Sequence, residues 1–271
     1  MLYHDSAMRI RDVWQAAGIE RSDAEVLTAA ILGRDRSWVI AHEDSEIPPE
    51  NLKSLMDAFL RRSKGEPVAY ILGKRDFYGR SFFVDPRVLI PRPATEGLID
   101  LALEMIDGRI DGTVLRSIDS GIVAYGEFSG QKHEPCAVAD IGTGSGCIAV
   151  TIVCERPSVR MIATDVSSDA LRVAEKNADL HHVSDRIRFL EGPLLQPLMH
   201  ERDPFIIVSN PPYVPDDFPA DRDLSFEPSG ALFAGPQGLD VLLPLVREAR
   251  AHPSCRGCVF ECREDQVARL H

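Results

Sequence analysis

The spacing of apolar residues changes character twice along this chain, and each change marks a different kind of structure. Up to Gly65 they recur at helical intervals. Val26, Leu27, Ala30 and Ile31 follow Ser22-x-x-Glu25, which reads as a capping box, and Gly33 supplies a stop. Leu52, Leu55, Met56, Phe59 and Leu60 form an i, i+3, i+4 stripe running from about Pro49 to Gly65. Such a stripe is the core of a small helical bundle, and Trp14 and Trp38 belong with it. From Glu66 to Glu96 the texture alters. Phe77, Tyr78, Phe82, Phe83 and Val84 interleave with Gly79, Arg80 and Ser81, predicting a β-hairpin that turns near Gly79. In the following segment, Leu89-Ile90-Pro91-Arg92-Pro93-Ala94-Thr95-Glu96, two prolines around one arginine hold the chain extended before the next helix. A lid over a pocket and a spacer between domains both suit it.

From Leu98 onward strand and helix patterns alternate. Strands are predicted at Val138–Ile141, Arg160–Asp165, Ile187–Leu190, Phe205–Ser209 and Gly257–Cys262. Helices are predicted at Ser145–Glu155, Ser168–Ala178 and Leu239–Ala251. This alternation predicts an α/β fold with a parallel, doubly wound sheet. The stretch 107–134 carries glycines at 108, 112, 121, 126 and 130 without a clean period, and is expected to be a surface insertion.

Two motifs carry the chemistry. Asp140-Ile141-Gly142-Thr143-Gly144-Ser145-Gly146 lies where the first predicted strand meets a helix. Its glycines admit a ligand close to the backbone, and the helix start offers unpaired N–H groups. The G-x-G-x-G spacing differs from the dinucleotide G-x-G-x-x-G. Asp165 ends the second strand, where a carboxylate can take both hydroxyls of a ribose. Asn210-Pro211-Pro212-Tyr213 follows another buried strand. An amide or amino nitrogen on an sp² carbon is a poor nucleophile. A side-chain oxygen on Asn210 and the Pro211 carbonyl can accept its N–H bonds and aim its lone pair at an electrophilic methyl. The prolines stiffen the corner, and Tyr213 can stack on a planar group. The pair of motifs describes a cleft holding a nucleotide-like cofactor beside a planar nitrogen, the arrangement that N-methyl transfer needs.

Composition narrows the partners. Asp and Glu outnumber Lys and Arg by 42 to 30, giving a net charge of −12. Nucleic-acid-binding domains are usually basic, so a protein or small-molecule substrate is favoured over stable nucleic-acid binding. No apolar run approaches the roughly 20 residues of a membrane span, and Met1 to Arg11 lacks the apolar core of a secretory signal. A cytoplasmic protein with reduced thiols is expected. Cys255-x-x-Cys258 is half of a zinc pattern without a second half, so the six cysteines (136, 147, 154, 255, 258 and 262) are read as structural and no metal is predicted. His181-His182 is read as a solvated loop.

These motifs, together with Glu66-Pro67-Val68-Ala69-Tyr70-Ile71-Leu72-Gly73, Phe77-Tyr78-Gly79, Ile90-Pro91-Arg92-Pro93, Thr95-Glu96 and Phe226-Glu227-Pro228, make the chain similar to the HemK-type release factor glutamine N5-methyltransferases. The resemblance runs from about Ser22 to the end, outside the 107–134 insertion. It implies a helical substrate-docking domain (1–65), a β-hairpin linker (66–95) and a Rossmann-like class I methyltransferase domain (96–271). It also implies S-adenosylmethionine (AdoMet) as methyl donor, and the Gly-Gly-Gln glutamine of class 1 peptide release factors as acceptor. Gly142, Thr143, Gly144, Ser145 and Gly146 would border the methionine part and Asp165 the ribose, with Leu194 packing on the adenine. Asn210 would sit between cofactor and glutamine. Pro211, Pro212 and Tyr213 would complete the glutamine pocket, and Phe77 and Arg92 would help to close the site. Departures from the family pattern are Ala94 before Thr-Glu, Gly192-Pro193-Leu194 after the third strand, and Arg263 after the fifth. The family also continues into a final strand pair. With the chain stopping at His271, that pair is expected to be missing and the sheet to carry an unpaired edge beside the fifth strand. The motifs leave open glutamine methylation of a ribosomal protein, adenine-N6 methylation of nucleic acid, and a non-catalytic AdoMet-binding remnant.

Overall fold

A computed structural model describes residues 8–110, 112–128, 137–219 and 222–270. The chain forms two compact units. One holds the residues up to Gly73 together with the short segment ending at Phe226, and the other holds the remainder.

The first unit is helical: α1 Ile10–Ala16, α2 Arg21–Leu32, α3 Arg36–Ala41, α4 Pro49–Ser63 and α5 Val68–Leu72. Its core gathers Ile10, Val13, Trp14, Leu27, Val39, Leu55 and Phe59, so the period-3.6 pattern is realised as packing. Trp14 is buried and donates its indole N–H to Thr28 Oγ1 at 2.8 Å, whereas Trp38 is only partly buried and stacks on His42. Two expectations are corrected. Met56 and Leu60 are exposed, at 37% and 54%, because the core-facing stripe of α4 narrows to Leu55, Ala58 and Phe59. No capping box forms at Ser22, since α2 starts one residue earlier and Glu25 accepts from Arg21 and Arg36 instead. Gly33 does end α2, in the left-handed conformation (φ 61°) that glycine adopts without a Cβ penalty.

The second unit opens with the hairpin β1 Lys74–Phe77 and β2 Arg80–Phe83. Its two turn residues, Tyr78 and Gly79, both have positive φ, as the twist of a two-residue hairpin loop demands. Then come α6 Ala94–Ile106, β3 Gly112–Asp119, β4 Ile122–Phe128, β5 Ala137–Ile141, α7 Cys147–Glu155, β6 Met161–Asp165, α8 Ser168–Leu180, β7 Ile187–Glu191, β8 Phe205–Ser209, α9 Leu242–Ala251 and β9 Cys255–Arg263. Seven strands make one sheet in the order β3-β4-β9-β8-β5-β6-β7. The five from β5 onward run parallel, as the alternating pattern predicted.

The insertion and the sheet edge both differ from expectation. Residues 112–128 form two strands of the central sheet, and β4 pairs antiparallel with β9 from Ile122↔Arg263 to Phe128↔Gly257. The edge of β9 is therefore covered. Val123 and Tyr125 pack into the core on one face of the sheet while Ala124 packs on the other, so β4 is buried on both sides. A Cβ on Gly97 of α6 would come within 2.6 Å of Ile118, which shows how closely helix and hairpin approach. Glycine spacing misled the sequence reading here: Gly121 serves the turn, and Gly126 lies inside the ladder. Cys136 and the insertion beyond Phe128 fall outside the described residues.

Candidate active site

The carboxyl ends of β5, β6 and β8 open onto a cavity of about 490 Å³, within the usual size for a small-molecule site. Such crevices at strand ends are where open α/β sheets bind ligands. Its wall includes Gly142, Thr143, Gly144 and Ser145 after β5, Asp165 at the end of β6 with Val166 beyond it, Pro193 and Leu194 after β7, and Asn210, Pro211 and Pro212 after β8. Arg92 reaches it from the segment that leads into α6, and Thr95 from the first turn of that helix.

Most of the residues singled out in the sequence thus meet on one cavity. Three do not line it. Gly146 is the N-cap of α7, at φ 78°, where an added Cβ would press on Ala174 at 3.0 Å. Phe77 is buried in the core against Phe82 and Tyr78, so it supports the hairpin from beneath. Tyr213 turns its hydroxyl inward and donates to Glu261 Oε1 at 2.8 Å.

The glycine turn is an open cradle. Gly142 (φ 73°) and Gly144 (φ 55°) have nothing within 4 Å of where a Cβ would stand. The Gly144 N–H donates to Asp165 Oδ2 and the Ser167 N–H to Oδ1, both at 2.9 Å, which pins that carboxylate at the end of β6. Burial raises the Asp165 pKa. Beneath the turn, Asp140 Oδ2 accepts from Thr143 Oγ1 at 2.6 Å and from the Ala149 N–H at 3.1 Å, fixing the start of α7. Its Oδ1 is buried with no hydrogen-bond partner among the described residues, and burial pushes the carboxyl up to about 7. Asn177, fully buried on α8, ties the turn to the hairpin: Nδ2 donates to Ser145 O and Phe83 O, and Oδ1 accepts from the Phe83 N–H. Leu194 holds φ 48°, a strained value for leucine, and its side chain forms part of the apolar wall. An open glycine cradle, a pinned carboxylate at the second strand and an apolar wall suit a nucleoside-bearing ligand of AdoMet type.

Two buried carboxylates shape the opposite wall. Glu227 accepts from Arg92 at 2.5 Å and from the Ile90 N–H at 2.9 Å, so the Pro-Arg-Pro segment is clamped to the Glu-Pro corner. Glu261 stands at 0% exposure on β9. Thr95 donates to its Oε2 at 2.7 Å and Tyr213 to its Oε1, while Asn210 Nδ2 donates to Thr95 Oγ1 at 3.0 Å. Burial raises the Glu261 pKa, opposed by those two hydroxyl bonds, by the Arg92 charge and by the Asn210 side chain, which bonds to the same carboxylate. Burial likewise raises the Tyr213 pKa, helped by the neighbouring Glu261 carboxylate. Sequence reading missed Glu261. Its signal was one acid inside the apolar run Cys258-Val259-Phe260-Glu261-Cys262, a placement that costs too much unless partners wait inside.

Residues 9–73 match the PrmC N-terminal domain family and residues 129–221 the methyltransferase small domain family. The release factor glutamine methyltransferase of Xylella fastidiosa (strain Temecula1) is 38% identical over 236 residues, covering 86% of this chain and 76% of that one. The Escherichia coli (strain K12) protein of the same name is 32% identical over 238 residues, with 87% and 76% covered. The chain belongs to the release factor glutamine methyltransferase family. With that membership the protein is a methyltransferase, and the helical unit holds the family's amino-terminal domain. Among the described residues no helix is long and apolar enough to cross a membrane, and no three His, Cys, Asp or Glu side chains gather as a metal site requires. Cys258 and Cys262 are buried in β9, and burial raises both thiols, that of Cys262 to about 12. His181 is not simply solvated: its Nε2 lies 3.0 Å from Ser81 O and its ring packs beside Phe82.

Proposed function

We propose that this protein transfers a methyl group from AdoMet to the side-chain amide nitrogen of the Gly-Gly-Gln glutamine of class 1 peptide release factors. The observation that carries the reading is the state of Asn210. Thr95 has one hydroxyl proton and gives it to Glu261, so its oxygen must accept from the Asn210 amide N–H. The amide nitrogen is committed, and Oδ1 is left as the acceptor that Asn210 offers to a ligand in the cavity it lines.

In this reading Gly142, Gly144 and Asp165 hold the cofactor, whose sulfonium supplies an electrophilic methyl when bound. Asn210 Oδ1 and the Pro211 carbonyl accept the two N–H bonds of the glutamine amide. That fixes the nitrogen's orientation and favours the positive charge it gains as the new bond forms. Pro211 and Pro212 keep the acceptors from turning away. The helical unit is assigned to docking the release factor, and the reaction to the cytoplasm.

The test is mass spectrometry of an unmodified class 1 release factor after incubation with this protein and AdoMet. One added methyl group on the Gly-Gly-Gln glutamine, absent when that glutamine is alanine or the enzyme carries Asn210→Ala, is the expected result. Methylation of a different residue, or none with AdoMet bound, refutes the assignment of the acceptor.

A further inference from the structure

Glu261 lies off the cavity wall, yet three of the groups that shape that wall or stand behind it depend on it. Strands β8 and β9 are parallel neighbours with Ser209 opposite Phe260, so the residues after them, Asn210 and Glu261, stand level. Thr95, in the first turn of α6, is 2% exposed and fits between them. The bonds form one chain with a fixed sense: Asn210 N–H to Thr95 Oγ1, Thr95 O–H to Glu261 Oε2, and Tyr213 O–H to Glu261 Oε1.

We propose that Glu261 and Thr95 are a positioning relay that sets which end of the Asn210 amide faces the substrate. An ionised carboxylate can only accept. With the Thr95 proton given to Glu261, Thr95 has nothing left to donate toward Asn210, and the amide must turn its nitrogen to Thr95 and Glu261 and its oxygen to the cavity. A glutamine at 261 keeps one acceptor and gains one donor, and with the donor toward Thr95 the sense is reversed. Thr95 would then accept from residue 261 and give its proton to Asn210 Oδ1. The amide would turn over and present N–H groups to an acceptor nitrogen that itself carries N–H groups. This inference rests on the glutamine methyltransferase reading, and it adds residues that act through Asn210: Glu261 off the cavity and Thr95 on its wall. Burial raises the Glu261 pKa, and the hydroxyls of Thr95 and Tyr213, the Arg92 charge and the Asn210 amide act against it and favour the ionised state.

The test uses Glu261→Gln, which keeps the volume and turns one of the two acceptors into a donor, Thr95→Val, which keeps the shape and deletes the hydroxyl, and Thr95→Ser, which retains it. Methyl transfer to the release factor is measured at saturating AdoMet, with AdoMet affinity by calorimetry. In parallel, the side-chain amide protons of Asn210 are followed by NMR in enzyme labelled on asparagine nitrogen. Glu261→Gln and Thr95→Val should each lower kcat by about tenfold or more, the order seen when one positioned polar group is lost from an active site. AdoMet affinity should hold, and Thr95→Ser should retain the rate. The Asn210 amide proton bonded to Thr95 should be shifted and slow to exchange in the parent enzyme and in Thr95→Ser, but not in the other two. Full kcat in Thr95→Val, or a lost rate with unchanged Asn210 signals, overturns the relay. Should Glu261→Gln fail to fold, Thr95→Val carries the same comparison. Should the parent enzyme not methylate a release factor, the acceptor reading fails while the NMR comparison still decides the relay.

Discussion

Replacing Tyr125 with alanine separates two views of the segment 112–128. If this hairpin were a surface insertion, a single substitution in it would change stability by no more than about 0.5 kcal/mol. In the structure Tyr125 is 1% exposed and sits opposite Phe260 across the β4–β9 ladder, in the same core as Leu242, Leu245 and Phe205. Deleting a ring from such a place removes its transfer free energy and leaves a cavity, together about 3–5 kcal/mol. The hydroxyl, which donates to Glu127, accounts for about 1 kcal/mol of that, so Tyr125→Phe should cost far less. With a urea dependence of about 2 kcal/mol per molar, Tyr125→Ala should lower the unfolding midpoint by roughly 1.5–2.5 M. Leu115→Ala on β3, where the side chain is 50% exposed, is the matched control and should barely move it. Far-UV circular dichroism is the probe, because Trp14 and Trp38 both lie in the helical unit and their emission reports that unit. A Tyr125→Ala loss below about 1 kcal/mol would refute the placement of β4 inside the sheet.

Three further outcomes follow from the site. Gly142→Val places a side chain in the open cradle at φ 73° and should weaken AdoMet binding more than tenfold by calorimetry; unchanged affinity would mean that the cradle is not the cofactor's seat. The Asp140 pKa is raised from 3.8 to about 7, so between those values the folded state holds a proton the unfolded state has lost, and stability falls as pH rises. That slope accumulates to roughly 4 kcal/mol at most and should be missing in Asp140→Asn, so urea midpoints of the two proteins should diverge from pH 4 to pH 7; parallel curves would refute it. Arg92→Ala leaves Glu227 buried without its cation and should cost about 2 kcal/mol of stability by urea unfolding, with Glu227→Gln recovering part of the loss in the double variant; no recovery would show that the charge was not the cause.

What could be read beforehand was whatever depends on neighbours in sequence. The five parallel strands, the glycine turn and the Asn-Pro-Pro-Tyr corner are local signals, and the structure places each within a few residues of its predicted bounds. The β3–β4 hairpin was not legible, because four residues of β4, Ile122 to Tyr125, carry too short a pattern to outweigh five glycines nearby. What makes them a strand is the open ladder of β9, more than 130 residues later. The same reason hid Glu261. Alone it reads as a misplaced charge, and only Thr95 and Tyr213, arriving from two other elements, make it tenable. Phe77 erred in the opposite sense: motif company suggested the cavity, whereas its apolar ring gains more from the core under the hairpin.

The polar wall also explains why the Pro-Arg-Pro-Ala-Thr segment and two distant acids occur together. Arg92 and Thr95 are three residues apart at the entry to α6, one turn of helix, and each engages a different buried carboxylate. Glu227 arrives 135 residues after Arg92 and Glu261 166 after Thr95, so each pair forms only when segments far apart in sequence have come together. Until then both acids stay in water, because burying either without its partner costs too much. Completion of the sheet and construction of the acceptor wall are in this sense one event. The hairpin that covers β9 takes part in it, because β9 carries Glu261 between the Phe260 and Cys262 positions that β4 pairs. A substitution that loosens β4 should therefore impair methyl transfer before it unfolds the helical unit, since the ladder beside Glu261 sets the position of Thr95 and, through it, of Asn210. Measured below its unfolding midpoint, Tyr125→Ala should show reduced kcat with tryptophan emission unchanged. Full kcat under those conditions would uncouple the sheet edge from the site.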